Sequence, residues 1–135
     1  MALLTWSVAH SVGIPAMDDE HKKLYEAINE LHAAVQRGEE QSLAGQLLGE
    51  VVNRTRGHFS SEEEILRATN YPELAAHCLK HQSLVDEIEE LVARFENGDV
   101  VLNDQSLKFL RYWFNEHIQN DDLSYSVWLK VHGVR

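Results

Sequence analysis

Residues 58–81 read HFSSEEEILRATNYPELAAHCLKH, and this stretch decides the fold. His58 and Glu62 are four residues apart, and so are His77 and His81. On a helix, side chains at i and i+4 lie on one face, so each pair points to one side. Between the pairs stands Asn70-Tyr71-Pro72, a turn signal that ends one helix and lets Pro72 open the next. The stretch therefore reads as the end of one helix and the start of another, each carrying two metal-ligating side chains on one stripe.

The same pattern extends outward. Helical segments are predicted over 18–37, ending at Gly38; over 41–68; over 72–97, with Gly98 at its end; and from Asn103 or Asp104, as N-cap, past His117. Residues 1–17 form an N-terminal arm, and 124–131 a short last helix. Core-facing residues recur at steps of three and four. They are His21, Leu24, Ile28, Leu31 and Val35 in the first segment, then Val51, Thr55, His58, Glu62 and Ile65. Leu74, His77, His81, Leu84, Ile88, Leu91 and Phe95 follow, and then Leu107, Leu110, Phe114 and His117. Four such stripes joined by short connections define an all-α fold, an antiparallel up-down-up-down four-helix bundle. The 135 residues suit a single domain, 1–135.

Composition excludes several roles. With 22 acidic and 12 basic residues the net charge is −10, which disfavours nucleic acid and anionic membrane as partners. No apolar run approaches the length of a membrane span, and the N-terminus lacks the basic region of a signal peptide. Cys78 is the only cysteine, so no intramolecular disulfide can form and a reducing, cytoplasmic setting is expected.

Five of the eight histidines, with Glu62, fall on the inner stripes, while His10, His32 and His132 fall outside them. A carboxylate on a core stripe needs a counter-charge, and a metal supplies one. Imidazole mixed with carboxylate suits iron. Structural zinc prefers four ligands that include thiolate, and Cys78 is turned about 100° from His77 on a helix. The Glu-x-x-His motif of ferritin-like carboxylate proteins is absent.

The ordered set DDEH (18–21), HFSSEE (58–63), HCLKH (77–81) and HIQNDD (117–122), with Trp6 and VGIPAMDDEH (12–21) upstream, closely resembles the hemerythrins, especially their single-domain bacterial form. The likeness runs from Trp6 to about Leu129. Members of that family are type examples of the up-down-up-down bundle. The resemblance implies two iron ions. His77, His81 and His117 would hold one, and His21 and His58 the other. Glu62 and Asp122 would bridge them beside an oxo or hydroxo bridge. The three-histidine iron is then closed, and the two-histidine iron keeps one position open for dioxygen. The resemblance also implies a dry ligand pocket lined by Leu24, Phe59, Trp113, Phe114 and Ile118. Phe114 stands where many relatives carry a smaller aliphatic residue.

Asp122 does not follow from helix geometry. Asp121 lies at i+4 from His117 and continues the inner stripe, whereas Asp122 at i+5 points about 140° away from His117. The family pattern His-x-x-x-x-Asp picks Asp122. The two agree if the helix widens after His117, as in a π turn. The function so implied is reversible dioxygen binding for carriage, storage or delivery, with an oxygen-consuming enzyme as recipient and no catalytic residues. The alternatives are an oxygen or redox sensor module, or a di-iron oxidase or nitric-oxide-related repair protein.

Overall fold

The computed structural model describes residue 11, residues 14–117 and residues 123–131. Trp6, His10, Ile118, Asp121, Asp122 and His132 lie outside the described residues. Five helices follow in order: α1 Pro15–Gln36, α2 Gln41–Ala68, α3 Leu74–Glu96, α4 Asp104–Glu116 and α5 Leu123–Val131. Helix α1 packs on both α2 and α4, and α2 on α3. The first four helices thus form the expected antiparallel bundle, and α5 closes one end.

Local chemistry sets the helix ends. Helices α1, α2 and α3 finish in the same left-handed turn, at Gly38 (φ 72°), Asn70 (φ 59°) and Gly98 (φ 80°). In each, the next amide reaches back five residues: Glu39 to Ala34, Tyr71 to Leu66 and Asp99 to Arg94. These hydrogen bonds satisfy carbonyls that the helix leaves open. At the start of α4, Asn103 and Ser106 cap each other's backbone amides at 3.0 and 2.9 Å. The carboxamide of Gln41 donates to the Leu102 carbonyl and accepts from the Leu102 amide. That clamp ties the start of α2 to the loop before α4.

Two boundaries differ from the sequence reading. Helix α1 begins at Pro15, so residues 15–17 belong to it and not to the arm. A fixed proline φ suits a first helical turn, and Ile14 before it is extended. Helix α3 begins at Leu74, leaving Pro72 in the turn.

The core has three layers. The larger apolar cluster includes Leu24, Ile28, Leu31, Leu48, Leu84, Ile88, Leu107, Leu110 and Phe114. A smaller one, at the α5 end, joins Ile14, Met17, Leu66, Tyr71, Tyr125 and Leu129. A buried polar layer of His21, His58, Glu62, His77, His81 and His117 completes the interior. The stripes hold in mid-helix and drift at the ends: Leu66 is fully buried where Ile65 was expected. A real helix turns every 3.6 residues, so a strict three-and-four count gradually walks off the inner face. Among the described residues no helix is long and apolar enough to cross a membrane.

Candidate metal centre

Every expected ligand among the described residues reaches the polar layer. His21 comes from α1, His58 and Glu62 from α2, His77 and His81 from α3, and His117 from the end of α4. Their donor atoms form two groups that share Glu62: His77, His81 and His117 in one, His21 and His58 in the other. Glu62 faces both. Its Oε1 lies 2.5 Å from His77 Nε2 and 3.0 Å from His81 Nε2. Its Oε2 lies 3.1 Å from His58 Nε2 and 3.7 Å from His21 Nε2. His117 closes α4 with its amide bonded to the Trp113 and Phe114 carbonyls, and the widening expected after it falls on residues 118–122, outside the described residues. The aspartate that would follow lies outside the described residues.

Two carboxylates that the sequence reading missed hold the histidines from behind. His58 donates from Nδ1 to Glu20 at 2.7 Å, and His81 from Nδ1 to Glu63 at 2.7 Å. A carboxylate at Nδ1 fixes the proton there and turns the Nε2 lone pair inward. Inside, those lone pairs meet the negative oxygens of Glu62, and His81 Nε2 stands 3.1 Å from His117 Nε2. Acceptors facing acceptors at such distances repel unless a proton or a metal cation lies between them. The donor set therefore fits a metal, and its imidazole–carboxylate chemistry suits iron.

The electrostatics agree. Burial alone would raise the Glu62 carboxyl, but the surrounding histidines hold it well below the carboxylate range. Burial alone would lower His58, yet the carboxylates of Glu20 and Glu62 outweigh it and raise its pKa. Burial and Glu63 push the half-buried Cys78 thiol up, which makes it a poor thiolate ligand.

Of the expected pocket residues, Leu24, Phe59 and Phe114 are buried in the larger cluster, and the half-buried Trp113 packs against it. The Phe59 ring lies flat on His81 at 3.7 Å, with His58 5.9 Å away. Trp113 stacks on His117 at 4.6 Å. A further residue absent from the sequence reading comes from α5: the buried Tyr125 hydroxyl donates to Glu62 Oε2 at 3.0 Å. No local spacing links α5 to the other ligands, so periodicity could not find it. Glu20 and Glu63 carry one signal, in that each adjoins a ligand in sequence.

A helical bundle that buries histidines and a shared carboxylate in one layer defines a cation-binding bundle protein. Residues 12–129 match the family described as Hemerythrin HHE cation binding domain. The chain is 34% identical over 132 residues to a bacteriohemerythrin of Stenotrophomonas maltophilia (strain R551-3), spanning 98% of this chain and 85% of that one. It is 31% identical to the bacteriohemerythrin of Methylococcus capsulatus (strain ATCC 33009 / NCIMB 11132 / Bath), spanning 93% and 95% of the two chains. The crystal structure of a wild-type hemerythrin superposes with a TM-score of 0.88 at 31% identity, over 93% of this chain and 96% of that one. The chain belongs to the hemerythrin family.

Proposed function

We propose that this protein binds dioxygen reversibly at a non-haem di-iron centre, for carriage, storage or local delivery. The observation that carries the reading is the division of Glu62: one carboxylate oxygen faces the three-histidine group and the other the two-histidine group. His77, His81 and His117 would hold one iron, His21 and His58 the other, with Glu62 and Asp122 across both. The iron pair, when bound, supplies two electrons and one open coordination position to dioxygen.

This chain's own residues do the rest. Glu20 and Glu63 keep two imidazoles in the ligating tautomer and orientation. Tyr125 fixes the tilt of the Glu62 carboxylate by its hydrogen bond to Oε2. Leu24, Phe59 and Phe114 keep the surroundings apolar and exclude water, which slows oxidation. A reducing cytoplasm suits the single cysteine.

Anaerobic reconstitution with ferrous iron, followed by metal analysis and oxygen titration, tests this. Two irons per chain and an absorbance that appears with oxygen and bleaches on degassing are expected. One metal per chain sinks the di-iron reading. Rapid irreversible oxidation with peroxide release would replace carriage by an oxidase or redox-sensor role.

A further inference from the structure

An aromatic chain runs from the candidate metal layer out through the α5 end of the bundle. Tyr125 touches the layer twice there: its hydroxyl donates to Glu62, and its ring meets His77 edge-on at 5.4 Å. The Tyr71 ring stands 6.4 Å from Tyr125, and the Trp128 ring 5.5 Å from Tyr71. These centroid separations are those of packed aromatic pairs. Burial falls along the series: Tyr125 is 1% exposed, Tyr71 8%, and Trp128 is half-buried at the surface. All three rings can lose one electron, unlike the Phe59 and Phe114 rings on the other side of the layer.

We infer that Tyr125, Tyr71 and Trp128 form a relay that drains oxidising equivalents from the metal centre to the protein surface. The inference rests on the di-iron reading and adds to it a protective function. The oxidant is a peroxide, which takes two electrons and two protons to leave as two waters. Tyr125 gives the second electron where the centre, once loaded, would supply only one. Its phenolic proton shifts to the Glu62 carboxylate that it already contacts, and both protons consumed by the peroxide come from solvent. Tyr71 refills Tyr125, whose proton returns from Glu62, and Trp128 refills Tyr71. The net loss is one electron and the indole proton of Trp128, at a site that external thiols can reach and reduce.

Trp113 is the competing exit, because it stacks on His117 and is half-buried itself. Among the described residues it meets the layer by stacking on His117, whereas Tyr125 both hydrogen-bonds Glu62 and meets His77 edge-on.

The test uses the full chain loaded with iron and treated with hydrogen peroxide. Iron content and the optical spectrum are recorded first, then freeze-quenched samples are examined by electron paramagnetic resonance with ring-deuterated tyrosine. Oxygen addition to each tryptophan is mapped by mass spectrometry. A tyrosyl radical is expected, together with oxidation at Trp128. Tyr125→Phe and Tyr71→Phe, which keep the rings and the packing, should lose Trp128 oxidation to the level without iron. Trp113→Phe should leave it unchanged. An iron-loaded protein without any aromatic radical, a radical confined to Trp113, or undiminished Trp128 oxidation in Tyr71→Phe overturns the relay while the di-iron reading stands. A chain that takes up no iron overturns both.

Discussion

Glu20 on α1 grips His58 on α2 from behind, at 2.7 Å from its Nδ1, while the opposite nitrogen of the same ring looks at Glu62. Glu63 does the same for His81. Two of the five histidines are thus aimed by carboxylates that belong to neither donor group. Glu20→Gln keeps the side-chain length and loses the charge. It should lower the His58 pKa in the metal-free chain and weaken iron binding by about 10- to 100-fold. Nuclear magnetic resonance titration and competition against a chelator measure the two effects. An unaltered affinity would remove Glu20 from the site.

Glu62→Ala should cut iron from two per chain to one or none, since it removes the side chain that both histidine groups share. Asp122→Ala should behave alike, and Asp121→Ala should be nearly silent. Metal analysis after reconstitution decides between the aspartates. Iron lost in Asp121→Ala and kept in Asp122→Ala reverses the bridge assignment.

Metal-free and iron-loaded protein should respond oppositely to pH. The raised pKa of His58 stabilises the metal-free fold fully below 6.5, and that contribution is lost as pH climbs through the raised value. The lowered pKa of Glu62 stabilises it above 4.5, and this is lost as pH falls through the lowered value. Both contributions are complete between pH 4.5 and 6.5. Iron needs the lone pair that the proton occupies, so its affinity falls in that same window. Thermal melts should show the metal-free chain strongest in mild acid and the loaded chain strongest nearer about pH 8. Parallel profiles would refute the argument.

Leu24 is buried one helical turn beyond His21. Leu24→Gln should admit water beside the two-histidine side and speed oxidation of the oxygenated protein, with iron content unchanged. Azide, a small anion, should bind on that same side. Stopped-flow absorbance follows the first effect and a crystal structure with azide the second. Azide found on the three-histidine side would contradict the assignment.

Two glycines of the same apparent freedom should answer alanine with opposite signs. Gly98 has φ 80°, and nothing lies within 4 Å of an added Cβ, so Gly98→Ala meets only backbone strain of about 1–2 kcal/mol. Gly57 sits inside α2, also with open space around an added Cβ, so Gly57→Ala should stabilise by up to about 1 kcal/mol. Urea melts of the metal-free chain read both. Equal midpoints would deny that conformation decides.

Much of the site is legible in the sequence alone. The stripe through His21, His58, Glu62, His77, His81 and His117 is local information: each residue's face follows from helical periodicity, and the four stripes must meet in a bundle. What stayed hidden is non-local. Glu20 faces α2 only because α1 packs at one particular rotation. Tyr125 meets Glu62 only because α5 folds over the bundle end, and no spacing within α5 records that. Helical spacing points Ile65 inward, yet Leu66 is the buried one, because the drift of the helical period is small per residue and shows only near helix ends.

The three left-handed turns and the Gln41 clamp have a consequence for measurement at atomic scale. Short, hydrogen-bonded connections leave the helices little room to slide along one another. Sliding one helix by a single residue would carry its histidines about 1.5 Å. Metal–ligand bonds tolerate about 0.2 Å. Gly38, Asn70 and Gly98 are far from the ligands in chemistry, yet they act as the stops on a ruler. They hold side chains from four helices at one height, so that a metal would find its ligands already level.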